Sequence, residues 1–278
     1  SRNMNLAFGD ARYADELERT LYNAVLAGVS LEGNRYFYEN PLEAGQNRAR
    51  WSWHACPCCP PMFLKLMGGL PESIYAQDAT GIYINLFIGG TVRVQLAAGD
   101  VSLRQTTRYP WEGEVTIHVE PHRTQEFDLF VRVPLWCQGT TSTDALYQVV
   151  DLPTANNFQL KVNGELLAAP EMVRGYARVH RAWQVGDRVD LQFDMAPRRV
   201  RAHPQVAADQ GRVALMRGPI VYCFEGIDNG GHVRNLVLPP EARLTAAYRA
   251  DLLGGVTVLE TTGVRLDRRG GPDNDHVG

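Results

Sequence analysis

This sequence of 278 residues has no long apolar run, no excess of positive charge and few cysteines. No apolar run approaches the roughly 20 residues that a membrane-spanning helix needs, so we expect no membrane partner. The formal net charge is -3, which argues against the broad basic surface of a nucleic-acid-binding protein. Five cysteines are an odd count, which favours free or metal-bound thiols over a disulfide framework and predicts a reducing, cytoplasmic location.

The sequence changes character near residue 80, and the part before this point predicts helices. Asp10 is a good N-cap residue, and the apolar residues that follow it are spaced near 3.6 until Gly28. The proline pair at 60–61 favours the start of another helix, because proline is tolerated in the first turn. The apolar residues between this pair and the glycine pair at 68–69 predict that the helix is buried.

The part after residue 80 predicts short strands, because apolar and polar residues alternate with period 2. Asn163-Gly164 is a typical two-residue hairpin turn. Many short strands with few helices are typical of an antiparallel β-sandwich, so the expected fold class is α+β. The clearest strand segments are 82–88, 91–96, 114–119, 127–133 and 188–193.

The change of pattern also predicts the domain organisation. We expect a helical region at 1–78, a β-sandwich at 79–200 and a second β-rich region at 201–278. The tail that starts at Arg268 is polar and glycine-rich, so we expect it to be disordered.

The cysteines Cys56, Cys58 and Cys59 lie together within the segment WSWHACPCCPP. Thiolates are suitable zinc ligands, and both zinc and a helix N-terminus lower the pKa of a thiol, so a reactive thiolate is one interpretation. Buried structural cysteines, or a zinc site that serves folding only, are the alternatives that the spacing leaves open. The neighbouring His54 is expected to be structural.

This segment resembles the Cys-Cys-Pro motif of glycoside hydrolase family 127, which includes β-L-arabinofuranosidases. The resemblance extends to the helix at 9–23, to the aromatic-Asn-Pro-Leu loop at 36–42, to the strand at 82–90 and to residues 211–223. It implies the last helices of an (α/α)6 catalytic barrel followed by mainly antiparallel β-sandwich domains.

The resemblance also implies a function and a set of site residues. It implies a retaining glycosidase in which zinc holds a cysteine thiolate that attacks the sugar. Cys58 would be the nucleophile, Cys58 and Cys59 would bind zinc, and Glu18 and Tyr38 would hydrogen-bond an L-arabinofuranoside-type oligosaccharide or glycoconjugate. Without the resemblance, Glu18 would be interpreted as a solvated or ion-paired residue and Tyr38 as a core or rim aromatic.

The family's Glu-x-Cys zinc ligands and its general acid/base have no counterpart in residues 1–55, which contain no cysteine. We therefore expect a C-terminal portion of such an enzyme, with an incomplete zinc site and low activity of its own. Its first helices should expose an apolar face that a second copy of the chain could cover. The alternative function is a non-catalytic β-sandwich module that binds carbohydrate or another chain.

Overall fold

A computed structural model of the protein describes residues 1–39, 48–139, 146–150, 157–231 and 233–266. The backbone forms two compact units, Ser1–Val221 and Tyr222–Gly278. The tail that we expect to be disordered, and the Asn-Pro-Leu part of the predicted aromatic loop, lie outside the described residues. Across the described ranges, none of the helices is both long enough and apolar enough to cross a bilayer.

The helices lie mostly in the first 75 residues. The α-helices are α1 Arg2–Phe8, α2 Arg12–Thr20, α3 Cys59–Gly69 and α4 Pro71–Ile74. A π-helical turn at Leu21–Val25 continues α2, and single 3-10 turns occur at Leu26–Gly28, Leu135–Gln138, Ala207–Asp209 and Gly226–Asn229.

The helices begin and end close to Asp10, Gly28 and the proline pair, as predicted, but the N-cap residue of α2 is Ala11 and not Asp10. Asp10 lies one residue earlier, and its carboxylate accepts the Arg12 N–H at 3.0 Å, one of the free N–H groups of the first turn. The helical path continues from α2 through the π and 3-10 turns to Gly28. In α3, the prolines occupy the first turn, where no intrahelical N–H bond is lost.

The prediction that the helix after the proline pair is buried is wrong. No residue of α3 is buried, and Met62 and Leu64 are 61% and 63% exposed. Met4, Leu6 and Phe8 of α1 are exposed as well, as expected for an apolar face on the first helices. The apolar composition of α3 indicates that the helix packs against another surface, but it does not indicate whether that surface belongs to the described residues.

The strands begin at residue 75 and form sheets that are almost entirely antiparallel. In chain order they are β1 Tyr75–Gln77, β2 Gly81–Ile84, β3 Gly90–Leu96, β4 Gly99–Thr107, β5 Glu114–Pro121, β6 Gln125–Arg132, β7 Tyr147–Val149, β8 Phe158–Val162, β9 Glu165–Leu166, β10 Glu171–Val173, β11 Tyr176–Trp183, β12 Asp187–Phe193, β13 Arg198–Ala202, β14 Ala214–Arg217, β15 Ile220–Tyr222, β16 Leu236–Val237, β17 Thr245–Arg249, β18 Val256–Glu260 and β19 Val264–Arg265.

Two sheets of the first unit enclose its main core. One sheet has the order β1-β2-β6-β11-β10, with β2 and β6 parallel, and the other has the order β3-β4-β5-β12-β8-β9. The largest apolar cluster joins residues of both sheets, such as Ile82 and Leu129 from the first and Ile117 and Leu191 from the second. Burying each such side chain stabilises the fold by about 1.5–3 kcal/mol. The remaining sheets are β15-β14-β13-β7, β16-β19 and β17-β18.

The hairpin predicted at Asn163-Gly164 joins β8 to β9 and is confirmed. Val162 pairs with Glu165 across the turn, and both turn residues have positive φ, 52° and 86°. This conformation is favourable for Asn and Gly and gives the turn the right-handed twist of the flanking strands. The predicted order, helices followed by a mainly antiparallel β-sandwich in the α+β class, is confirmed as well.

Candidate active site

The two adjacent cysteines lie at the N-terminus of α3, where the helix dipole favours negative charge. Cys58 is the N-cap residue and Cys59 is the first residue of the helix. Their Sγ atoms are 3.9 Å apart, and Cys58 is exposed to solvent. A sulfur in this position is accessible to a reactant, and the helix dipole favours its thiolate form. Pro60 and Pro61 have no N–H, so the first turn makes no backbone hydrogen bond to the sulfur.

Tyr38 lies directly against Cys58. The Tyr38 hydroxyl accepts the Cys58 N–H at 3.2 Å and is 3.6 Å from the Cys58 Sγ. Hydrogen bonding by Tyr38, supported by Cys56 and Cys59, lowers the pKa of the Cys58 thiol. Desolvation, followed by the hydrogen bond to Cys58, raises the pKa of Tyr38, and desolvation followed by Cys58 raises the pKa of Cys59. Cys58 is therefore the most easily ionised thiol of the adjacent pair.

A short bridge between two chain segments brings Tyr38 to this position. The backbones of Tyr36 and Trp51 form an antiparallel bridge, with N–H···O hydrogen bonds of 3.0 and 2.8 Å in the two directions. The bridge brings the segment that contains Tyr38 next to the segment that leads to the cysteines. The Tyr38 and Trp51 rings then lie 6.5 Å apart, and the His54 ring contacts both of them. This aromatic cluster lies beside the cysteines, and Trp53 next to it is 76% exposed.

The sulfur positions fit a zinc site. Two sulfurs that bind one tetrahedral zinc at about 2.3 Å each lie about 3.8 Å apart. The observed separation of 3.9 Å between Cys58 and Cys59 matches this value. Within the described residues, no group of three or more His, Cys, Asp or Glu side chains is arranged to hold a metal, so the described residues do not complete a zinc site by themselves.

Glu18 is not part of this cluster but belongs to a buried ion-pair network. Its side chain is 2% exposed, and its carboxylate pairs with Arg132, which is fully buried. The Arg132 Nη1 is 3.3 Å from the second oxygen of Glu18, and the Tyr109 hydroxyl donates to the first at 2.9 Å. These contacts agree with the ion-paired interpretation of Glu18, although the partner is 114 residues away. The sugar contact of Glu18 stays a prediction that this geometry does not favour.

Asp15 is the third member of the network and gives it two carboxylates for one guanidinium. Asp15 also pairs with Arg132, and it accepts the Leu135 N–H at 3.2 Å. Two carboxylates thus share one guanidinium in the interior of the first unit. Burial, which outweighs the attraction of Arg132, raises the pKa of Asp15 to about 6.

The raised pKa of Asp15 predicts that mild acid stabilises the protein. Asp has a pKa of about 3.9 in an unfolded chain, so the native state binds more protons between about pH 4 and pH 6. The free energy of unfolding therefore falls as pH rises through this window. We expect Asp15→Asn, which is neutral, to be more stable than the wild type by up to about 3 kcal/mol at pH 7.5 and by almost nothing at pH 4. Urea unfolding of both proteins across this range measures the difference, and a difference independent of pH would contradict the prediction.

Two participants of the cluster lie in the segment that the sequence singles out but were given no role there. Cys56 contributes hydrogen bonding to both Cys58 and Tyr38, and Trp51 packs on His54. The density of cysteines and aromatic residues in the segment WSWHACPCCPP was the available signal for both. The predicted neighbours Tyr38, Cys58 and Cys59 are brought together by the fold.

Family models match three successive stretches of the chain. The model of the GH127 catalytic domain of beta-L-arabinofuranosidase matches residues 1–72. The model of the GH127 middle domain of beta-L-arabinofuranosidase matches residues 81–195. The model of the glycoside hydrolase family 127 C-terminal domain matches residues 197–260.

Individual proteins of this family are similar over nearly the whole chain. A non-reducing end beta-L-arabinofuranosidase of Bifidobacterium longum subsp. longum is 32% identical over 274 residues, which covers 91% of this chain and 38% of that protein. A solved structure of a GH127 beta-arabinofuranosidase has a TM-score of 0.89 and 36% identity, and the match covers 94% of this chain and 40% of the chain in that structure. A GH127 beta-L-arabinofuranosidase from Geobacillus stearothermophilus T6 has a TM-score of 0.86 and 37% identity, covering 100% and 42%.

The chain spans about two fifths of the length of these relatives. Its helices, its β-sandwich and its C-terminal strands each match a model of the same family, in the same order. Together these similarities show that the chain belongs to glycoside hydrolase family 127.

Proposed function

We propose that this chain carries the nucleophile of a retaining β-L-arabinofuranosidase, with Cys58 as the nucleophile and with Cys58 and Cys59 as sulfur ligands of a zinc ion. The observation that supports the proposal is the position of the exposed Cys58 Sγ, 3.9 Å from the Cys59 Sγ and 3.6 Å from the Tyr38 hydroxyl. A structural cysteine needs neither exposure nor a tyrosine directed at its sulfur.

In this proposal, the residues of the chain bind, ionise and orient the reacting sulfur. The Tyr38 O–H donates to the Cys58 thiolate, and the same oxygen accepts the Cys58 N–H. The hydroxyl group therefore fixes the position of Cys58 through two hydrogen bonds. The helix N-terminus adds a favourable dipole. A zinc ion bound by the two sulfurs would supply a further decrease of the thiol pKa.

The proposed reaction is a double displacement. The Cys58 thiolate attacks the anomeric carbon, a C–S bond forms, and the C–O bond to the leaving group breaks as that oxygen takes up a proton. Water then attacks the same carbon and gives up a proton, the C–S bond breaks, and the thiolate is regenerated. Two inversions at one carbon retain its configuration. We assign no residue of this chain as the proton donor.

The substrate proposed for the site is an oligosaccharide or glycoconjugate that contains L-arabinofuranose. Two of the relatives are described as beta-L-arabinofuranosidases, one of them acting at the non-reducing end. Tyr38 remains a proposed sugar contact because its half-buried ring lies next to the exposed sulfur. Glu18 is left out of the proposal because its carboxylate is surrounded by Arg132 and Tyr109.

Metal binding by the two sulfurs tests the zinc part of the proposal without requiring hydrolysis. Cobalt(II) in place of zinc gives a sulfur-to-metal charge-transfer absorption when thiolates coordinate it. We expect this band in the wild type, a band of about half the intensity in Cys58→Ser and in Cys59→Ser, and no band in the double variant.

Cys223→Ser is the matched control, since Cys223 is also an exposed thiol but lies in the second unit. This variant should retain the full band. A charge-transfer band that persists in the Cys58→Ser/Cys59→Ser double variant would contradict the assignment of the zinc ligands.

A further inference from the structure

The segment from Cys56 to Cys58 is held by two side chains of the aromatic cluster. Pro57 has no N–H, so the segment has only two backbone donors. The Cys56 N–H donates to the Nδ1 of His54 at 3.1 Å, and the Cys58 N–H donates to the Tyr38 hydroxyl at 3.2 Å. Both donors of an exposed loop are therefore bonded to side chains rather than left to water.

The two side chains that accept these bonds are stacked on each other. The ring centroids of His54 and Tyr38 are 3.9 Å apart with an angle of 30° between the planes. The His54 and Trp51 centroids are 4.5 Å apart at 44°. The imidazole therefore contacts both larger rings, and it is half-buried although both Cys56 and Cys58 are exposed.

Two atoms of Cys56 contact the Nδ1 of His54: the N–H, which can only donate, at 3.1 Å, and the carbonyl oxygen, which can only accept, at 3.3 Å. We assign the lone pair to Nδ1 on the shorter contact, which puts the proton of the neutral ring on Nε2. His54 thus combines two properties that few side chains share: a flat ring that stacks on Tyr38 and an acceptor that reaches the backbone two residues ahead.

We propose that His54 is a positioning residue of the Cys58 site: by stacking on Tyr38 and accepting the Cys56 N–H, it holds the Cys58 sulfur within reach of the Tyr38 hydroxyl. The importance of this position for catalysis rests on the proposed function of Cys58 as nucleophile. A displacement of a nucleophile by about 1 Å can lower the rate about 10²-fold. The contacts themselves do not depend on that function.

Two substitutions separate the two properties of His54. His54→Phe keeps a stacking ring but loses the acceptor, and His54→Asn keeps an acceptor but loses the ring. Tyr38→Phe removes the hydroxyl itself, so its effect on Cys58 is the reference with which the effects of the His54 variants are compared. His122→Phe is the matched control, because His122 is exposed and lies outside the cluster.

The measurement is the alkylation rate of Cys58 by iodoacetamide at neutral pH, in a metal chelator, with Cys223 as the internal reference and peptide mass spectrometry as the readout. We expect both His54 variants and Tyr38→Phe to slow Cys58 alkylation by about three- to tenfold, because the sulfur loses the hydroxyl that stabilises its thiolate. His54→Phe combined with Tyr38→Phe should slow it no further, since both act through one contact. His122→Phe should leave the rate unchanged.

A histidine that only supports the loop would not slow alkylation. The Cys58 sulfur is already exposed, so its alkylation would be unchanged or, with greater mobility of the loop, faster in the His54 variants, and either result would overturn the proposal. The result is independent of hydrolysis. Turnover of an arabinofuranoside with no sugar on Cys58 counts against the proposed function, whereas slowed alkylation in the variants still supports the positioning role of His54.

Discussion

Arg132→Met is expected to lower the free energy of unfolding by about 3–5 kcal/mol, the largest change in stability that we predict for a single substitution. Arg132 is fully buried and is bonded to the backbone oxygen of Asn85 as well as to Asp15 and Glu18. Its guanidinium lies over the Phe87 ring at 5.2 Å. Methionine can fill much of this volume, but it leaves two carboxylates buried without a cation.

Urea unfolding at pH 7.5 measures this loss, and its pH dependence identifies the cause. If uncompensated carboxylates are responsible, the loss should shrink toward acidic pH, where Asp15, whose pKa is already raised by burial, takes up a proton instead of remaining charged. Arg188→Met is the matched control, because Arg188 forms an exposed pair with Asp190 and should change stability by less than about 1 kcal/mol. Equal losses in the two variants would contradict the account of the buried network.

Cys58→Ser is expected to lower kcat by about 10³-fold or more in a preparation whose wild type hydrolyses an aryl β-L-arabinofuranoside. A serine hydroxyl at this position is not ionised near neutral pH, whereas the pKa of the Cys58 thiol is lowered by Tyr38, Cys56 and Cys59. The replacement preserves size and a hydrogen-bonding group, so the expected change is in nucleophilicity and not in folding.

Two controls separate this effect from a general loss of thiols. Cys223→Ser removes another exposed thiol, and Cys137→Ser removes a buried one whose Sγ contacts the Pro134 carbonyl oxygen at 3.0 Å. Both should keep kcat close to that of the wild type, although Cys137→Ser should be less stable. A Cys58→Ser protein with nearly unchanged kcat would contradict the assignment of the nucleophile.

Local features of the fold were predictable because their causes are local. The alternation of β5 and β12, the prolines in the first turn of α3 and the Asn163-Gly164 turn each depend on a few neighbouring residues. Of the site, the motif placed Cys58 and Cys59 together, since they are adjacent in sequence. Tyr38 could be added only through the resemblance to the family.

Other features depend on contacts between distant segments, and local patterns do not contain them. The pairing of Glu18 with Arg132 joins residues 114 positions apart, and nothing near Glu18 predicts that partner. Cys223 directly follows β15 in sequence, yet its side chain is exposed and not packed in the core. The stack of Tyr38 and His54 depends on the bridge formed by Trp51, whose pairing a loop sequence does not specify.

The most direct test of the account is the covalent state of Cys58 during turnover. The protein is mixed with an aryl β-L-arabinofuranoside, quenched in acid after milliseconds to seconds, digested and examined by peptide mass spectrometry. We predict that the peptide containing Cys58 gains the mass of one arabinosyl group, with fragmentation that places it on that sulfur. Turnover with no sugar on Cys58, or with the sugar on a carboxylate, would contradict the account.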